Sequence, residues 1–141
     1  MLNVNPYLNF PGTTEEAMNF YKSVFGGEFT AFARFSDSPG HEKMPKAEQN
    51  MIMHAALPLG NGHTLMATDA LESMGQDLVT GNNYYINLAT ESEEETNRLF
   101  KGLSAGGKIE MPLNRTFWGA YAGMCRDRYG VQWMLNYDLS S

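Results

Sequence analysis

The sequence predicts an α+β fold of two βαβββ modules in tandem, forming a curved mixed sheet around a central cavity with the helices outside. Three observations predict it. The stretch "NPYLNFPGTTEEAMNFY" at 5–21 returns at 83–99 as "NYYINLATESEEETNRL"; each copy reads Asn-x-Tyr-x-Asn, a large apolar residue, small polar residues and a pair of glutamates. Paired glycines, Gly26-Gly27 and Gly106-Gly107, follow each copy at matching places, and a glycine-centred hairpin follows each pair, with Gly62 matching Gly130 and Met66 matching Met134. The chain of 141 residues then reads as one domain, 1–141, with module one at 1–70, a linker at 71–82 and module two at 83–141.

Each element has its own local reason. In "PYLNF" apolar and polar residues alternate, as in a strand with one buried face. "PGT" turns the chain into a helix over "TTEEAMNFYKSVFG", where the hydroxyl of Thr13 or Thr14 is placed to cap the first turn. Glu15 and Glu16 suit the positive end of that helix, and Ala17, Phe20, Tyr21 and Val24 make its apolar stripe. "EFTAFARF" is a second strand, and the polar, two-proline run "SDSPGHEKMPKAEQN" a surface loop. "MIMHAALPL", a "GNG" turn and "HTLMATDA" form a hairpin. The second module repeats the order: "NYYINLA" a strand, "SEEETNRLFKGLSAGG" a helix, "KIEMPLNRTF" extended chain, and "WGAYAGMCRDRYGVQWMLNYD" a hairpin turning near Tyr129-Gly130.

Charge and cysteine usage exclude several classes of partner. Ten Lys and Arg against sixteen Asp and Glu leave a net charge of −6, so no nucleic acid and no anionic membrane surface is expected as a partner, both of which call for a basic face. The single Cys125 has no intrachain disulfide partner, the N-terminal stretch has no signal-like basic and apolar regions, and no apolar run is long enough to span a bilayer, which together imply a cytoplasmic location. Ten methionines suit core filling or an adaptable apolar cavity. A dinucleotide fingerprint, a phosphate-binding Walker loop and a nucleophile elbow are all absent, and no cofactor is expected.

"YLNFPGTTEEAMNFYKSVFGGEF", "MHAALPLGNGHTLMATDA" and above all "CRDRYGVQWMLN", with its Asp-x-φ-Gly-x-x-Trp pattern, resemble the vicinal oxygen chelate superfamily of glyoxalase I, bleomycin-resistance proteins and extradiol dioxygenases. Within it the chain is most similar to the PhnB-like branch. The resemblance implies paired modules, often in a homodimer. It implies metal ligands on the first and last strands of each module, which here are Asn5, Met66, Asn83 and Met134. The family's usual pattern is His or Gln with Glu; these positions hold no carboxylate or imidazole, and a thioether is a poor ligand for Zn, Ni, Mn or Fe(II), so no metal is expected there.

If Asn5 faces the cavity, strand parity places Tyr7 and Asn9 beside it, and Asn83, Tyr85 and Asn87 in the other module, while Leu8, Phe10, Ile86 and Leu88 turn to the helices. Met66, Met134 and Trp118 complete the expected ligand-binding set; with Ala56 opposite Met66, His54 falls on the same side as a candidate for proton transfer. Each has a plainer structural role available, the asparagines as backbone partners, His54 as a bonded structural side chain and Trp118 as a rim or dimer contact. Trp133 and Cys125 have core-facing parity, and Cys125 is expected to be inert. The expected function is metal-free binding of a small organic ligand in the cavity between the modules. The alternative is a lyase or isomerase, metal-dependent or using His54. The methyl-transfer label of some PhnB-like sequences finds no glycine-rich strand-to-helix turn here to hold its cosubstrate.

Overall fold

The computed structural model describes residues 2–140. The chain divides between Val79 and Thr80 into two units, each with one four-stranded mixed sheet. No helix among the described residues is long and apolar enough to cross a membrane.

In the first unit the order is β1 (Tyr7–Phe10), α1 (Thr14–Phe25), β2 (Ala31–Arg34), α2 (Lys46–Gln49), β3 (Ile52–Gly60) and β4 (His63–Asp69). The strands lie in the order β1-β4-β3-β2, with β1 parallel to β4 and the other pairs antiparallel. Ala55, Leu57, Leu65 and Ala67 are fully buried on one side of β3 and β4, beneath Ala17, Met18 and Tyr21 of α1. The buried stripe of α1 is Thr14, Ala17, Met18 and Tyr21, an i, i+3, i+4, i+7 set. Phe20 and Val24, expected on that stripe, sit at its margin and are half-buried.

Neither threonine hydroxyl caps α1. Thr13 occupies the cap position without a side-chain bond, and the Thr14 hydroxyl is buried with no partner among the described residues. The carboxylate of Asp69 takes that role: Oδ1 accepts from the Thr14 N–H at 3.0 Å and Oδ2 from the Ile52 N–H at 2.8 Å. One buried side chain thus sets a negative group at the positive end of α1 and fixes the start of β3. At the hairpin, Asn61 and Gly62 hold φ of 54° and 80°, the left-handed pair that a two-residue turn needs to match the twist of its strands.

The second unit runs β5 (Ile86–Ala89), α3 (Glu93–Ser104), β6 (Lys108–Arg115), β7 (Ala120–Arg126) and β8 (Gln132–Asp138), ordered β5-β8-β7-β6. Ser92 caps α3 by accepting from the Glu95 N–H at 3.0 Å, while the Glu95 carboxylate accepts from the Glu91 N–H. Leu99, Phe100 and Leu103 of α3 are buried together with Cys125, Trp133 and Leu135. A Cβ on Gly107 would lie 2.1 Å from the Arg126 carbonyl oxygen, so only glycine lets β6 leave α3 this close to the end of β7. β6 is an edge strand carrying Pro112 and two register shifts against β7; the proline, lacking an N–H, is tolerated there.

The "DRYGVQW" segment folds around Asp127, which is 3% exposed. Its Oδ1 accepts from the Tyr129 and Val131 N–H groups at 2.8 and 3.1 Å, and its Oδ2 from the Trp133 indole N–H at 2.8 Å. The Asp-x-φ-Gly-x-x-Trp pattern is therefore one hydrogen-bonded unit. Gly130, with φ of 89°, supplies its turn.

The strand expected over 83–89 starts only at Ile86. Gln132, buried in β8, donates through its amide to the Asn82 and Tyr84 carbonyls, and its own N–H is accepted by the Tyr84 hydroxyl. Side-chain bonds thus replace the ladder there.

Candidate functional site

The first sheet has a face away from α1, carrying Tyr7, Asn9, His54, Met66 and Thr68 by strand parity. Tyr7 is paired with Met66, and Met66 with Ala56. His54 lies two residues before Ala56, so the Tyr7 ring reaches from β1 past β4 to β3. Its hydroxyl is 2.9 Å from His54 Nδ1, and the rings are 5.7 Å apart at 34°. This bond orients the imidazole and engages Nδ1 in either tautomer. With the Tyr7 O–H donating to Nδ1, the ring proton sits on Nε2; with Nδ1–H donating to Tyr7, Nε2 keeps a lone pair. Tyr7 is 46% exposed, so the pair is within reach of a ligand. Thr68 is occupied, donating to the Met53 carbonyl at 2.7 Å, and Asn9 is exposed.

Asn5 precedes β1 and accepts from the Thr64 N–H at 2.9 Å. It ties the chain to the β3–β4 hairpin, the local backbone role open to an asparagine beside a strand. Asn83 and Tyr85 lie outside β5 and are exposed. The Tyr85 hydroxyl donates to Glu110 at 3.2 Å; its pKa is raised by desolvation and then by that carboxylate. Asn87 stands beside Met134, whereas Met66 stands beside Tyr7. The two sheets are thus offset by two residues from the repeat alignment, which preserves the face but not the partner. Trp118 is 58% exposed in the β6–β7 turn, edge-on to Phe117 at 5.1 Å.

Among the described residues no three His, Cys, Asp or Glu side chains gather to hold a metal. The positions where the superfamily resemblance places ligands hold two thioethers and two amides, one already bonded to backbone. That donor set does not fit Zn, Ni, Mn or Fe(II).

Cys125 is fully buried. Burial, with lesser contributions from Asp127 and Glu110, pushes its thiol up to about 12. At pH 8 roughly one thiol in ten thousand is then ionised. The folded protein should therefore show almost no reaction with a disulfide reagent that labels the unfolded chain at once; rapid stoichiometric labelling of folded protein would refute this placement.

Two features escaped the sequence reading. A recess of about 380 Å³ in the first unit is lined by Pro11, Ala47, Glu48, Met51, Gln76 and Leu78. It forms because α2 and the 72–74 turn fold back, joined by Glu48, whose carboxylate accepts from the Ser73 N–H and hydroxyl; a four-residue helix inside a polar run leaves no periodic signal. The second is Asn136, which shares the Met134 side of β8 and whose Oδ1 is buried without a partner among the described residues. The parity used for Met134 would have found it.

The Glyoxalase/Bleomycin resistance protein/Dioxygenase superfamily model matches residues 4–135. Protein YjdN of Escherichia coli is 33% identical, over 94% of this chain and 93% of that protein. Protein PA1353 of Pseudomonas aeruginosa has a solved structure with 38% identity, 98% of both chains covered and a TM-score of 0.85. A Bacillus cereus PhnB protein, which carries the provisional name of a 3-demethylubiquinone-9 3-methyltransferase, has 31% identity, 96% of this chain and 99% of its own covered, and a TM-score of 0.75. With its tandem βαβββ modules and its matched segment running from the first strand into the last, the chain belongs to the Glyoxalase/Bleomycin resistance protein/Dioxygenase superfamily.

Proposed function

We propose that this protein binds a small organic molecule on the helix-free faces of its sheets, without a metal ion. The observation that carries the reading is the Tyr7–His54 pair, a polar group held in place by a hydrogen bond and exposed beside Met66. A phenol and an imidazole offer donor, acceptor and aromatic contact, and the thioether offers an adaptable apolar surface. The superfamily positions for metal ligands carry side chains that favour this reading over metal chemistry.

A thermal-shift screen of small organic compounds, cationic aromatic antibiotics among them, tests it. A compound at a hundredfold excess over its Kd adds about 2.7 kcal/mol of stability, and His54→Ala or Tyr7→Phe should weaken its effect. Absence of any shift across the panel would refute binding of those classes. One equivalent of Ni, Zn, Mn or Fe per purified chain, lost in His54→Ala, would refute the metal-free part.

The same pair favours a second reading, proton transfer by His54 Nε2 in a lyase or isomerase, because Tyr7 orients the ring through Nδ1. Methyl transfer draws no support from the residues here. The β1-to-α1 turn, Pro11-Gly12-Thr13, holds a single glycine and lacks a nucleoside-binding fingerprint.

A further inference from the structure

The face of the second sheet away from α3 has a definite chemical pattern. The register sets Asn87, Met134, Met124 and Met111 in one row across four strands, and Asn136, Ala122 and Asn114 in the next. Thioethers are soft and polarisable and make favourable contacts with aromatic edges and faces. In the adjoining row Asn114 is committed, its amide donating to the Pro112 carbonyl at 2.8 Å. Asn136 is different: its Oδ1 is buried and no donor among the described residues reaches it.

A buried acceptor without a partner disfavours the folded state, and such groups are rare in folded proteins. Two such side-chain atoms occur among the described residues. The Thr14 hydroxyl is sealed in the core, at 0% exposure, where no ligand can approach. Asn136 is only half-buried as a residue and stands beside the methionine row. Its oxygen is closed off in this conformation, but the terminal torsion of asparagine is soft and roughly two-fold. With nothing among the described residues bonded to the oxygen, no hydrogen bond to it has to break when that torsion turns to present it to a ligand.

We propose that Asn136 is a specificity-determining residue of this face, selecting a flat aromatic ligand that carries an N–H or O–H donor, the ring against the methionines and the donor on Asn136 Oδ1. The inference rests on the small-molecule reading above and names the class of molecule for it. A site built to hydrogen-bond a ligand discriminates strongly against an analogue that lacks the donor, because the acceptor is then left buried and unpaired.

The test uses indole and 1-methylindole, two rings that differ by the donor, titrated into the full chain labelled with ¹³C at the methionine methyls. The expected result is that indole shifts the Met124 and Met134 methyls and binds roughly tenfold or more tighter than 1-methylindole. Asn136→Leu, close to isosteric, should erase that preference and melt no lower than the parent, since it removes the unpaired acceptor. Equal affinity of the two indoles would overturn the role of Asn136 and leave the small-molecule reading standing. No methyl shift with either indole would overturn the aromatic-donor class, whereas the wider screen decides the binding reading itself. If Asn136→Leu and Asn136→Ala both melt well below the parent, the amide is bonded structurally and the proposal fails.

Discussion

Replacing Asp127 by alanine is expected to destabilise the protein by about 4 kcal/mol, since hydrogen bonds to a charged acceptor contribute about 1.5–3 kcal/mol each and do not add fully. Three donors lose their acceptor at once. The Trp133 indole N–H, on a side chain with no exposure, is the costliest to leave unpaired. In urea unfolding the midpoint should fall with little change in slope. Asn in place of Asp sharpens the argument. Its oxygen can keep the Tyr129 and Val131 N–H groups, but its amide nitrogen then faces the indole N–H, donor against donor. Trp133→Phe removes that conflict. In a double-mutant cycle, Asp127→Asn should therefore cost clearly less when Trp133→Phe is already present; equal cost with and without that second substitution would show that the indole bond is not where the energy lies.

Asp69→Ala should cost about 3 kcal/mol for a similar reason, because both carboxylate oxygens serve backbone N–H groups and the residue is 3% exposed. Asp69→Asn should recover little, as whichever way the amide turns one N–H meets another. The damage should be local before it is global: the Thr14 and Ile52 amides should exchange with solvent markedly faster, while those of the second unit keep their protection. Unchanged exchange at both amides would mean that the carboxylate does not hold α1 and β3 in solution.

The contrast between these two aspartates shows what the sequence makes legible. Asp127 lies within six residues of the partners named above, inside a motif with a turn glycine, and could be read as a unit. Asp69 serves amides 55 and 17 residues away, and only the parallel pairing of β1 with β4 brings it to α1. The modules themselves were readable because repeats, glycine pairs and strand alternation are local signals. Tyr7, Met66 and His54 were placed on one face by parity alone, while the hydrogen bond between Tyr7 and His54 depends on a ring crossing an intervening strand. The partners of Asn5, Asn83 and Tyr85 were not readable: the first is drawn to a hairpin amide, and the others lie outside a strand shortened by the bonds of Gln132. Asn136 was accessible to the same parity argument, but burial without a partner is a property of the packed chain and has no signature in a string of residues.

The irregular edge of the second sheet bears on how copies of this protein meet. An open strand edge is a template on which another chain can continue the sheet, the usual first step toward aggregation. Along β6 that template is interrupted: Pro112 offers no donor, two register shifts break the run of evenly spaced carbonyls, and Lys108, Glu110 and Arg115 bring charge to the same strand. On the opposite edge β5 spans only four residues. The second sheet is thus poorly suited to growth by strand addition from either side, so its edges give a second copy of the chain little on which to extend it.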